Sequence, residues 1–179
     1  MLKPFLAALA LGRGLSEEEA GEAMRRLVSG EVPEAQGGAY LTALRVKGET
    51  VAEILGSARV VREMTIRVPG ARAGLLDTCG TGGDGAGTFN VSTAAALVAA
   101  GAGARVAKHG NRSVSSRCGS ADLLEACGVP LGLGAVAAGR VLDEAGIVFL
   151  FAPALNPAMA SVAALRRGLG IRTIFNLLG

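Results

Sequence analysis

Aromatic side chains make up only 3% of the 179 residues, with no tryptophan and one tyrosine, so the core has to be built from Ala, Leu, Val and Ile, with glycine letting elements pack closely. Cysteine is scarce: Cys79, Cys118 and Cys127 form no CxxC and no Cys/His ligand spacing, and three cannot all pair within one chain. That excludes a disulfide framework and reads as reduced, cytosolic thiols. The apolar run around 94–104 is too short and too rich in glycine to cross a bilayer, and the first residues lack the basic, apolar and small-residue order of a signal peptide. The expectation is a soluble cytoplasmic protein. A net charge of +3, carried almost wholly by arginine, contains no Lys/Arg block of the kind nucleic acid binding needs. There is no internal repeat and no low-complexity segment. What is present is ample apolar material, 50% of the residues, enough for one α/β core with a small appendage.

The first third reads as helices. Phe5, Leu6, Leu9 and Leu11 pattern a short helix over 2–11, ended by Gly12 and Gly14. Ser16 with Glu19 is a capping box, and Ala20, Ala23, Met24, Leu27 and Val28 give the stripe of a second helix that stops at Gly30. Pro33 opens a third, running to Gly48, and Thr50 with Glu53 is a second capping box for a fourth through Ile54, Leu55, Ala58 and Val61. Residues 1–65 are thus expected to form a helical domain whose spare apolar face packs on the rest of the protein or on a partner. The Pro- and Gly-containing stretch 66–74 is expected to be a hinge. Beyond it strands and helices alternate: strand 75–78, a helix from about 92, strand 105–107, helices over 121–127 and 134–145, strand 147–151, a helix over 157–167 and a last strand at 173–175. Alternation of this kind argues an α/β domain over 75–179 with a parallel sheet.

Chemistry concentrates in two loops. Between residues 80 and 87 stand five glycines, after Asp77-Thr78-Cys79 and before Thr88, Asn90, Ser92 and Thr93. Glycine lets the backbone approach a ligand, and the first-turn N–H groups of the following helix carry partial positive charge, so the stretch suits a phosphate or pyrophosphate. The ordinary alternative is a glycine turn with a Ser/Thr cap. It is neither a Walker A loop, since no Gly-Lys-Ser/Thr closes it, nor a dinucleotide fingerprint, whose glycine spacing differs. A second cluster, Lys108-His109-Gly110-Asn111-Arg112 through Ser113, Ser115, Ser116, Arg117 and Ser120, brings cations and hydroxyls to the carboxyl end of the next strand, the edge where open parallel sheets bind ligands.

Read together, Gly80-Thr81-Gly82-Gly83-Asp84, Thr88-Phe89-Asn90-Val91-Ser92-Thr93, Lys108-His109-Gly110-Asn111-Arg112 and Gly119-Ser120-Ala121-Asp122 resemble the signature loops of the anthranilate phosphoribosyltransferases of tryptophan biosynthesis, and the resemblance covers the whole chain. It implies transfer of the phosphoribosyl group from phosphoribosyl pyrophosphate to the amine of anthranilate, with Mg²⁺ as cofactor and a homodimer formed through the helical domain. It also implies that Gly80, Gly83, Asp84, Thr88, Asn90, Ser92, Thr93, Lys108, Ser116 and Ser120 serve phosphoribosyl pyrophosphate, Ser92 holding a Mg²⁺ as well. Gly80, Asn111 and Arg166 are the implied anthranilate contacts. Asp84 either orients the loop, meets ribose hydroxyls, reaches metal-bound water or simply forms a turn. Arg166 is either the carboxylate fork or a surface arginine like Arg167. His109, the one histidine, is either a late proton acceptor or a shaper of the pocket, because a neutral aryl amine needs no base before it attacks.

Members of that family are nearly twice as long and continue past Asn-Leu-Leu-Gly to an Asp-Glu pair that binds Mg²⁺, absent here. The expectation is an amino-terminal part, its α/β domain incomplete. Two other readings stand beside it: a pyrimidine nucleoside phosphorylase, disfavoured by its missing lysine-rich phosphate motif, and a non-catalytic relative that binds nucleic acid, which would need a basic groove.

Overall fold

The computed structural model describes residues 1–70, 73–80, 89–113 and 118–178. They form two compact units, Met1–Thr65 with Asn156–Gly179, and Ile66–Leu155. The first unit opens with α1 (Lys3–Ala10), α2 (Glu17–Val28), α3 (Glu34–Lys47) and α4 (Val51–Glu63). Both capping boxes form. The Ser16 hydroxyl accepts the Glu19 N–H at 3.1 Å while the Glu19 carboxylate accepts the Ser16 N–H at 2.9 Å. At α4 the Glu53 carboxylate accepts the Thr50 N–H at 2.8 Å, and it does more than cap: it also accepts the Leu15 N–H at 2.9 Å and pairs with Lys47 at 2.9 Å. Three donors on one carboxylate, one of them a cation, explain how Glu53 is tolerated fully buried. Burial pushes its pKa up, but the Thr50 and Leu15 N–H groups and Lys47 outweigh that and hold it below the usual carboxylate value.

Helices α2 and α4 meet backbone to backbone at Gly21 and Gly56, where a Cβ on Gly56 would collide with the Glu17 carbonyl. Around this contact lies a core of Leu2, Met24, Tyr40, Leu41, Leu44 and Val60.

The second unit contains α5 (Val91–Gly101), β1 (Val106–Gly110), α6 (Ser120–Ala126), α7 (Ala135–Ala145), β2 (Ile147–Phe151) and α8 (Ala152–Leu155). Strands β1 and β2 pair in parallel from Val106↔Ile147 to Gly110↔Phe151, joined by the helical crossover that parallel strands require. The expected strand 105–107 is therefore longer: five apolar residues of β2 offer partners through Gly110, so Lys108 and His109 lie in the strand and not in the loop after it. The expected strand 75–78 is shorter, a single parallel bridge from Leu76 to Val106. Leu76 exchanges bonds with Arg105 O and Ala107 N, but the next donor on that edge, the His109 N–H, goes to the Asp77 carboxylate at 3.2 Å, and the ladder ends.

The chain then returns to the first unit with α9 (Pro157–Ser161), α10 (Ala163–Leu169) and α11 (Phe175–Leu178). The helix expected over 157–167 is broken at Val162, and Gly170, at φ 63°, ends α10. The expected strand 173–175 is instead the turn into α11: the Thr173 N–H donates to Asn176 Oδ1 at 3.0 Å and the Asn176 N–H to Thr173 O at 2.9 Å. Ile174 and Phe175 are apolar because they enter the helical core beside Ala158 and Val162, not because they pair in a sheet. For the same reason 156–178 group by contact with the helices.

Candidate functional site

The period-2 alternation of β1 sends Val106, Lys108 and Gly110 to one face and Ala107 and His109 to the other. Lys108 is only 3% exposed. Its ammonium donates to the Ser92 hydroxyl at 3.3 Å and to His109 O at 3.4 Å, and among the described residues no ion pair includes it. A buried ammonium is costly unless an anion or a set of acceptors meets it. Ser92 sits in the first turn of α5, where N–H groups have no intrahelical acceptor, and Thr78 holds that turn by donating its hydroxyl to Ser92 O at 2.6 Å. Thr93, one residue on, is 1% exposed and its hydroxyl has no hydrogen-bond partner among the described residues. Asn90 precedes the helix and donates its amide to the Cys118 sulfur at 3.6 Å. A cationic and hydroxyl-bearing corner thus stands beside a cavity of about 220 Å³, lined by Thr93, Ala96, Leu97, Lys108, Leu124, Val129, Ile147, Val148 and Phe149.

The loop after β1 is organised by Asp122. Its Oδ2 accepts the N–H groups of Ser113 at 3.0 Å and Gly119 at 2.8 Å, and Oδ1 accepts from Arg112 at 3.1 Å. Those N–H groups first, and then Arg112, hold its carboxyl below the usual range. Arg112 also meets both oxygens of Glu125, at 2.7 and 2.9 Å, and its guanidinium lies 5.8 Å from the centre of the Phe151 ring. The cation read from sequence as phosphate-seeking is therefore committed to Glu125 and Asp122, and its task is to shape the loop. Asn111 closes the loop on the strand side, its carbonyl accepting the Ala121 N–H at 3.2 Å. Ser120 begins α6, its Cβ 3.3 Å from where a side chain on Gly110 would stand.

On the opposite face of β1, His109 Nδ1 lies 3.6 Å from the Cys79 sulfur. Asp77 Oδ1 accepts the backbone N–H groups of both Cys79, at 2.9 Å, and His109, at 3.2 Å. Sequence spacing did not reveal this Cys/His contact. The signal available was that Asp77 and Cys79, two apart in an extended segment, share a side. Gly80 is exposed, with no atom within 4 Å of a Cβ built on it.

Gly83, Asp84, Thr88 and Ser116 lie outside the described residues. Arg166 belongs to the first unit, in the last turn of α10. It is half-buried with its guanidinium 5.3 Å from the centre of the Phe175 ring, whereas Arg167 is exposed. Loss of water around Arg166 lowers its pKa, and among the described residues no carboxylate pairs with it. Ser92 offers Mg²⁺ the hard oxygen it prefers; the sulfur, nitrogen and oxygen set of Cys79, His109 and Asp77 does not suit that ion.

The chain belongs to the glycosyl transferase family: residues 3–65 match its helical bundle domain and residues 72–179 its a/b domain. Within it the chain is similar to anthranilate phosphoribosyltransferases. It is 60% identical to that of Roseiflexus sp. (strain RS-1) over 178 residues, covering 99% of this chain and 52% of the relative. The crystal structure of the enzyme from Thermus thermophilus superposes with a TM-score of 0.85 at 52% identity, over 97% of this chain and 53% of the other. That of Saccharomyces cerevisiae, in complex with PRPP and Mg, gives 0.91 at 30% identity, over 99% and 53%. The chain spans about half the length of the curated relatives it matches. No described helix is long and apolar enough to cross a membrane.

Proposed function

We propose that this chain carries the phosphoribosyl-binding half of an enzyme that transfers the phosphoribosyl group from phosphoribosyl pyrophosphate to the amine of anthranilate, releasing pyrophosphate. The observation that carries the reading is the Lys108 ammonium, 3% exposed, against the Ser92 hydroxyl in the first turn of α5. A fixed cation beside the positive end of a helix stabilises a polyanion, and stabilises it more as charge builds on departing pyrophosphate. Asn90, Ser92, Thr93, Lys108 and Ser120 would bind the phosphates and ribose, joined by Gly80, Gly83, Asp84, Thr88 and Ser116. Asn111 and Gly80 would meet anthranilate, and Arg166 its carboxylate. The Arg166 guanidinium lies over the Phe175 ring, 5.3 Å from its centre, and its planar fork suits bidentate recognition of that group.

Ser92 would contribute to a Mg²⁺ whose charge, when bound, offsets that of the pyrophosphate. His109 would receive the amine proton late or only shape the pocket; its ring already faces the Cys79 thiol. The proposal extends to a helical domain over 1–65 that forms a homodimer, a hinge over 66–74, an α/β catalytic domain from 75 and a cytoplasmic setting. Its test is the loss of anthranilate fluorescence when phosphoribosyl pyrophosphate and Mg²⁺ are added together to the protein in its natural length. Fluorescence unchanged with both present would overturn it.

A further inference from the structure

Asp77, Cys79 and His109 come from two neighbouring extended segments, yet one ligand atom from each lies within 4.8 Å of the others, the only such group of three or more among the described residues. The Cys79 sulfur and His109 Nδ1 are 3.6 Å apart. Bond lengths of about 2.3 Å to sulfur and about 2.1 Å to nitrogen at a tetrahedral angle put two ligands of one Zn²⁺ about 3.6 Å apart. The pair therefore already has the separation that one tetrahedral ion imposes. Asp77 adds an oxygen, and it is fixed in place: its Oδ1 accepts the backbone N–H of Cys79 at 2.9 Å and of His109 at 3.2 Å, so the third ligand clamps the backbones that carry the other two. Such outer hydrogen bonds orient ligands ahead of binding.

We propose that Asp77, Cys79 and His109 form a binding site for a borderline-soft divalent cation of the Zn²⁺ class, with one position left open to water. The donor set discriminates between cations: thiolate and imidazole select Zn²⁺ or Co²⁺, while Mg²⁺ demands oxygen ligands and octahedral geometry. On binding, the Cys79 S–H proton passes to solvent as the sulfur–metal bond forms, and His109 binds through Nδ1 as the neutral ring, keeping its proton on Nε2. Uptake therefore releases one proton per ion bound, the general behaviour of a thiolate ligand. The site stands apart in chemistry from the Mg²⁺ proposed at Ser92.

Co²⁺ is the probe, since a thiolate–Co²⁺ bond gives a charge-transfer band in the near ultraviolet. Titrated into the whole metal-free protein, Co²⁺ should raise that band to one equivalent per chain, excess Mg²⁺ should leave it unchanged, and Zn²⁺ should displace it. Cys79→Ser should abolish the band, Cys118→Ser and Cys127→Ser should keep it, and His109→Gln should weaken Co²⁺ binding by at least about tenfold. Circular dichroism of each variant checks that it is folded. No band, or one that survives Cys79→Ser, would leave a thiol–imidazole hydrogen bond as the whole meaning of the cluster, as would loss of the band to Mg²⁺.

Discussion

Lys108 and Arg166 show how one side chain acquires a task from what surrounds it. Lys108 lies in the strand with its ammonium against Ser92, so Lys108→Met keeps the buried stem and removes the charge. On the proposed reaction that variant should lose about a hundredfold or more in kcat/KM while its melting temperature holds or rises, because an apolar group replaces a buried cation. Steady-state kinetics with thermal melts check both; retained activity would remove Lys108 from the site. Arg166→Lys should raise the KM for anthranilate by roughly tenfold, the loss of one charge-assisted hydrogen bond, and leave the KM for phosphoribosyl pyrophosphate alone. Arg167→Ala, at an exposed position, should change neither, and equal effects from the two arginines would refute the assignment.

Helices α2 and α4 form one element pair with two vulnerable points. Glu53→Gln removes the charge that Lys47 needs and should cost about 3 kcal/mol at neutral pH in urea denaturation. Because the folded carboxyl titrates below its ordinary 4.5, its stabilising effect is complete above that value and is lost as pH falls through the lowered folded value. The gap between wild type and Glu53→Gln should accordingly close under acid conditions; a gap independent of pH would show that the charge does not matter. Gly56→Ala should destabilise by about 1–3 kcal/mol through its clash with the Glu17 carbonyl, whereas helix propensity alone would make it stabilising. The sign of that change in chemical denaturation decides between packing and propensity.

The two units differ in how much apolar core each contains. Among the described residues, unit one has a single large cluster, completed by Ala158, Val162, Ile174 and Phe175 from the last stretch of chain, while unit two has two small clusters around Phe149 and Leu142. Fewer buried contacts mean easier local opening, so amides of β1, α6 and α7 should exchange with solvent before those of α2 and α4. Phe175→Ala should remove about 3–5 kcal/mol from unit one and accelerate exchange in α2 and α4 while leaving α7 unchanged. Exchange mass spectrometry reads both effects, and acceleration confined to α7 would contradict the grouping of 156–178 with the helices.

Short-range chemistry is what a sequence displays. Ser16 with Glu19 and Thr50 with Glu53 place helix starts to the residue, because a capping box is closed within four residues. The alternation of strands and helices, and the run of motifs from Gly80 to Asp122, were legible for the same reason. Contacts across the chain were not. Thr173-Ile174-Phe175 satisfies the apolar pattern of a strand equally well whether it pairs or dives into a helical core, and the Asn176 side chain turned it toward the core. Lys108 and Arg112 look alike as cations, four apart, until parallel pairing buries one beside Ser92 and Glu125 with Asp122 engage the other. Cys79 meets His109 because Leu76 bridges to Val106, a backbone contact that no spacing along the chain encodes.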